Sequence, residues 1–260
     1  MKKVPNTTFF EFCKQFWDLH GKNLRGNSLD SMIEIWKTGF GNVPLRDLTQ
    51  HKIERFLNTR MEEEELSPST YNRHLAMLKS MLSKGKEWGL NLDNPASGIK
   101  KLKENGSRTR FLTNEEIETL LNGASKSFKP ILITAIHTGM RRQEILNLLW
   151  TDVDFKNRII TIQQSKSGKK RMIQMNDTVV AELKDLSSRF KQGVVFPSSR
   201  PRKDQSEEAA NKTEQEKALD SALTDIHKTF NRLTAKLGIK DVRFHDLRHT
   251  FASHLVMNGV

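Results

Sequence analysis

A change of period restricts the fold of this 260-residue chain more than any other feature. Through the first hundred residues the apolar positions recur only at three and four residues, the repeat of helices that each bury one face. Thr49 stands where a helix cap is expected, ahead of Ile53, Phe56 and Leu57. Ser67 followed by Pro68 opens a second helix in which Tyr71, Leu75, Leu78 and Leu82 share a face, and Gly89 stops it. Period two comes later, in the segments "RIITIQQ" and "KKRMIQM". They are joined by "SKSG", a glycine-bearing stretch of hairpin length. Such a chain is mainly α with a small antiparallel β-sheet.

Two domains follow from the composition. "NPASGIKKLKENGSRTR" turns polar and basic, and it leads into "FLTNEEIETLL". There Thr113 and Glu116 have capping-box spacing ahead of Ile117, Leu120 and Leu121. The expected division is a helical domain over 1–102, a basic linker over 103–111 and a helical domain with a β-hairpin over 112–260. The run from Pro197 to Ser221 has almost no large apolar side chains to offset its ordering entropy, and is expected to be a mobile surface insertion.

Forty-three Lys and Arg against 31 Asp and Glu leave a formal charge of +12, which favours a polyanionic partner, nucleic acid first. The one cysteine, Cys13, lies in the apolar "FFEFCKQFW" and excludes an internal disulfide. No apolar run approaches 18 residues and no signal-peptide block is present, so a cytoplasmic protein without a membrane partner is expected. The helix opened by Ser67 carries Thr70, Asn72, Arg73, Lys79 and Lys86 away from its apolar face. That side either lies along a DNA backbone or is an ordinary solvated face; Arg110, in the linker, is a further DNA-binding candidate.

The chemistry-bearing segment is "FHDLRHTFASHL". A phosphodiester transition state needs fixed positive donors on its non-bridging oxygens, and Arg248 supplies a planar fork that never loses its charge. His245, three residues earlier, falls on the same helical face and could share that phosphate or take a proton. His249 is expected on a different face. In "HTGMRRQEILNLLW" a glycine ends one helix just before another begins, and a helix start is a natural phosphate site. Lys166, in the hairpin loop, could protonate a leaving oxygen. Each residue also has a plain reading, as a surface arginine, a solvated lysine or a hydrogen-bonded structural histidine.

Taken in order, "TGMRRQEILNLLW", "SKSGKKRMI" and "HDLRHTFASHL" resemble the catalytic signature of the tyrosine recombinases, the phage-integrase family. "LRDLTQHKIERFL", "LSPSTYNRHLAMLKSMLSKGKEWGL" and "NPASGIKKLK" resemble that family's core-binding domain. The resemblance implies a helical core-binding domain followed by an α+β catalytic domain, with Arg141, Lys166, His245 and Arg248 as catalytic residues. It makes Glu144 a structural partner and His249 a packing residue behind the active face, and leaves His137 and His254 without a role. It implies attack by a tyrosine on DNA to give a 3′-phosphotyrosine and a free 5′-hydroxyl, with no metal and no cofactor required.

The partners so implied are a duplex recombination site and further copies of the protein, a tetramer on DNA for the full-length protein and a monomer for these residues alone. The family's nucleophile falls about thirty residues beyond the second arginine. Val260 is twelve residues past Arg248, so the tyrosine is expected outside residues 1–260, and the fragment should bind DNA without cleaving it. Tyr71, the one tyrosine present, sits on an apolar helix face. Two rival readings are a non-catalytic DNA-binding relative and a type IB topoisomerase-like enzyme.

Overall fold

The computed structural model describes residues 7–24, 29–90, 93–104, 106, 110–163, 170–186, 188, 193–198, 226–257 and 259. The chain divides into two compact units, Met1–Ser107 and Arg108–Val260. In the first unit Thr8 caps α1 (Phe9–Leu19): its hydroxyl accepts from Glu11 N–H, and the Glu11 carboxylate accepts from Thr8 N–H. Spacings of three and four place Phe9, Phe12, Cys13 and Phe16 on one fully buried stripe. Each such Phe contributes roughly 1.5–3 kcal/mol by leaving water. The stripe meets Ile33, Trp36 and Phe40 of α2 (Leu29–Phe40). Burial pushes the free Cys13 thiol up to about 12, which makes it a protonated, unreactive core residue.

The caps expected at Thr49 and Ser67 open α3 (Gln50–Glu63) and α4 (Pro68–Glu87), each hydroxyl accepting an N–H three residues on. Such a cap is worth about 1 kcal/mol. Tyr71, Leu75, Leu78 and Leu82 are buried on one face of α4 as their spacing requires. After the helix Gly89 takes a φ of 80°, a left-handed turn that side chains with a Cβ disfavour.

The second unit opens with α5 (Asn114–Gly123), capped by Thr113 and Glu116 as the sequence indicates. Next come α6 (Lys129–Thr138) and the short α7 (Arg142–Leu146). Strands β1 (Val153–Asp154), β2 (Ile159–Ile162) and β3 (Arg171–Gln174) form an antiparallel sheet in that order, with Ile160 opposite Ile173 and Ile162 opposite Arg171. The period-two segments supply β2 and β3. Strand β1 is an addition to the expected hairpin, since two residues are too short to carry a period. Helices α8 (Asp177–Asp185), α9 (His227–Lys236) and α10 (Asp246–Met257) complete the unit.

Ile131, Leu132, Ile133, Ala135 and Ile136 of α6 are all buried, because α8 and α10 both pack on this helix. Its apolar surroundings fix where its C-terminal end, and the residues that follow, must lie. The described fold is mainly α with a small antiparallel sheet. The polar stretch expected to be mobile lies outside the described residues, apart from Pro197 and Ser198, and so does the "SKSG" loop.

Candidate active site

The site is organised by Gly139, at the end of α6. Its φ of 59° is left-handed, and a Cβ there would overlap the Phe251 ring of α10. Only glycine meets both conditions. The turn directs the Gly139 carbonyl to α10, where Arg248 donates to it from Nη1. Burial, then the charges of Arg141 and Arg171, push the half-buried Arg248 guanidinium below its ordinary value. Three cations are thus close enough for mutual repulsion, and one carboxylate, Glu144, lies among them.

Glu144 has a side chain only 8% exposed. One of its oxygens, Oε2, accepts from Arg141 N–H at 2.7 Å, which closes the first turn of α7. The other, Oε1, accepts from Arg141 Nη1 at 3.0 Å. Arg171 of β3 forms a two-pronged pair with the same carboxylate, Nη1 to Oε1 at 2.9 Å and Nη2 to Oε2 at 2.6 Å. Burial alone would raise the Glu144 pKa, but the hydrogen bonds from Arg171 and Arg141 outweigh it and bring it to about 2. The carboxylate is therefore ionised throughout the physiological range, held from both sides.

Arg171 was not singled out by the sequence. The signal for it was the alternation of "KKRMIQM", which gives a strand next to Lys166, together with the need of a buried carboxylate for more than one cation.

His245 immediately precedes α10 and is exposed. Burial of its ring, then the nearby His249 and Arg248, hold its pKa below the usual imidazole value. His249 corrects an expectation. Four residues of helix return the chain to within about 40° of the same direction, so His249 shares a face with His245 and is not behind it. The two rings meet edge to face with centroids 5.2 Å apart, and His249 is exposed.

A concavity of about 690 Å³ lies beside them, lined among others by Arg171, Arg248, His249, Gln174, Met172 and Phe251. His137, left without a role by the sequence, borders this space with its Nδ1 3.0 Å from Asn176 Nδ2, and His254 Nε2 lies 3.2 Å from the Leu112 carbonyl. Lys166 lies outside the described residues. Among the described residues no group of three or more His, Cys, Asp or Glu side chains could hold a metal ion, and no helix is long and apolar enough to cross a membrane.

The proposed DNA-facing side of α4 is largely corrected. Asn72 is buried: its Nδ2 donates to the Leu102 carbonyl at 2.9 Å and to Glu104 Oε1 at 2.7 Å, and its Oδ1 accepts from Leu102 N–H at 2.8 Å. Lys79 Nζ donates to the carbonyls of Ser97 and Ile99 at 3.1 and 2.7 Å. Both bind the strap that follows α4, because a stretch without secondary structure leaves backbone groups that need side-chain partners. Thr70 lies against the Ser67 cap, with their hydroxyls 3.0 Å apart. Arg110 forms a two-pronged pair with Glu116 at 2.5 and 2.9 Å. Of the six candidates, Lys86 is exposed with its Nζ 3.7 Å from Asp93 Oδ1, and Arg73 is exposed and without such a partner among the described residues.

Comparison with known proteins agrees with this architecture. Residues 110–260 match the model of the phage integrase family, and residues 6–103 that of the phage integrase N-terminal domain. The chain is 28% identical to the integrase of Salmonella phage P22 over 289 residues, covering 99% of this chain and 72% of that protein. It is 29% identical to the integrase of Escherichia phage P2 over 261 residues, covering 99% and 68%. In fold it resembles the Tn1549 transposon integrase in complex with transposon right end DNA, with a TM-score of 0.75 and 19% identity, covering 98% of this chain and 88% of that one. It also resembles lambda integrase, solved as a tetramer bound to a Holliday junction, with a TM-score of 0.72 and 18% identity, covering 95% and 72%. With its second unit and its first each matched by a family model, the chain belongs to the phage integrase family, the tyrosine recombinases.

Proposed function

We propose that this chain is the DNA-binding and charge-stabilising part of a site-specific recombinase that cuts and rejoins duplex DNA through a 3′-phosphotyrosine. The observation that carries the reading is the gathering of Arg141 and Arg248 about the Gly139 turn, with Arg171 and Glu144 between the elements that bear them. In the step envisaged, a tyrosine oxygen attacks the scissile phosphorus as the bond to the 5′-oxygen breaks. The guanidiniums of Arg141 and Arg248 stabilise the charge on the non-bridging oxygens. His245, whose pKa lies below the ordinary imidazole value, accepts the phenolic proton in this reading. Lys166, five residues before Arg171 in sequence, delivers a proton to the leaving 5′-oxygen, and reversal by a 5′-hydroxyl of another duplex completes the exchange. The bond energy is conserved in the phosphotyrosine, so no high-energy cofactor enters.

Tyr71 is not the nucleophile in this reading. It is 3% exposed in the core of the first unit, and burial pushes its phenol pKa up. The attacking tyrosine then comes from outside residues 1–260. The basic charge supports a duplex DNA partner, and the lambda integrase tetramer on a Holliday junction supports assembly of several copies on DNA. The test is a nicked suicide duplex that traps the covalent intermediate. Residues 1–260 should retain the duplex without forming an adduct. The protein of the complete gene should form one, and Arg248→Ala in it should remove it, a loss on the order of several kcal/mol of transition-state stabilisation. An adduct from residues 1–260 mapped to Tyr71 would refute the assignment.

A further inference from the structure

Arg171 and Glu144 are 27 residues apart, on β3 and α7, and their side chains meet in the part-buried two-pronged pair that also receives Arg141. In sequence Arg171 follows Lys166 by five residues. Arg171 contacts both Glu144 oxygens, and Arg141 gives the carboxylate a single guanidinium nitrogen, Nη1. Arg141 Nη2 and Nε then have no protein acceptor among the described residues, and the Arg141 side chain keeps 38% exposure.

We propose that Arg171 is a positioning residue of the reaction: by occupying Glu144 it keeps Arg141 from closing a two-pronged pair of its own, and so leaves the Arg141 fork open to a DNA phosphate. The assignment rests on the function proposed above. Without Arg171, Glu144 would remain a buried carboxylate with Arg141 as its one hydrogen-bonded cation, and the most favourable repair is a second nitrogen from Arg141. Arg171 would thus act through Arg141 without touching the phosphate, and would also tie β3 to the helix that carries Arg141.

The distinguishing experiment pairs Arg171→Met with the double variant Arg171→Met/Glu144→Gln in the complete protein, with adduct formation timed at saturating nicked duplex. Arg171→Met should slow the reaction at least tenfold while changing duplex affinity less than threefold. The double variant should recover much of that loss, because a neutral amide no longer captures Arg141. A purely structural pair predicts the opposite, since Glu144→Gln would weaken the remaining contacts to α7 and add to the damage. An unchanged rate in Arg171→Met, or a double variant no faster than the single one, would overturn the proposal. A crystal structure of Arg171→Met in residues 1–260 decides it without any catalysis. Two Arg141 nitrogens on Glu144 are expected, and an Arg141 still bonded through Nη1 alone contradicts the proposal even if the recombinase reading stands. If the wild-type complete protein forms no adduct, the recombinase reading fails and the crystal structure alone decides the Arg141 contact.

Discussion

Gly139 answers to two demands at once, a left-handed φ and the close approach of Phe251. Gly139→Ala should therefore destabilise the second unit by about 1–3 kcal/mol and displace the carbonyl that receives Arg248. Thermal unfolding of residues 1–260 checks this, and an unchanged melting temperature contradicts it. The pH response of the proposed chemistry belongs to His245. Its pKa lies below that of an ordinary imidazole, so the ring loses its role as proton acceptor only as pH falls through that lowered value. Adduct formation by the complete protein should accordingly keep its rate through the usual imidazole range and decline below it, and His245→Gln should remove that decline. Of these residues His245, Arg248 and the glycine were singled out in the sequence by spacing and residue type, and Arg141 by the resemblance of its segment to the family's signature. Arg171 was not, since its role depends on a carboxylate 27 residues away. His249 was placed on the wrong side of α10 by neglecting that i and i+4 share a face.

At the scale of elements, caps and apolar stripes were readable wherever a local rule decides. Thr49, Ser67 and Thr113 all cap helices as read, and the stripe of α4 is buried as spaced. The opposite side of α4 was not readable, because polar residues that bind a strap and polar residues that bind a phosphate look alike in sequence. The structure separates them. Asn72→Ala removes three hydrogen bonds from a buried site and should cost about 1–3 kcal/mol of stability in the first unit. Arg73→Ala should leave stability within about 0.5 kcal/mol. If the exposed Arg73 contacts a phosphate, its removal should also lessen the slope of log affinity against log salt by about 1. Calorimetry on both variants, with fluorescence titration of a duplex at several salt concentrations, would show a reversal of these assignments as stability loss in Arg73→Ala and none in Asn72→Ala.

For the whole molecule, the +12 formal charge and the two family-matched units support binding to duplex DNA dominated by phosphate contacts, with a steep fall in affinity as salt rises. The central proposal is narrower: that Arg141 and Arg248, brought together by one glycine turn, act on one phosphate. A double-mutant cycle tests it most directly, with the rate of covalent adduct formation by the complete protein measured for wild type, Arg141→Ala, Arg248→Ala and the pair together. Two donors to the same phosphate stabilise one charge jointly, so the double variant should lose far less than the product of the two single losses. Losses that multiply would mean that the two arginines act independently, and would contradict the shared site.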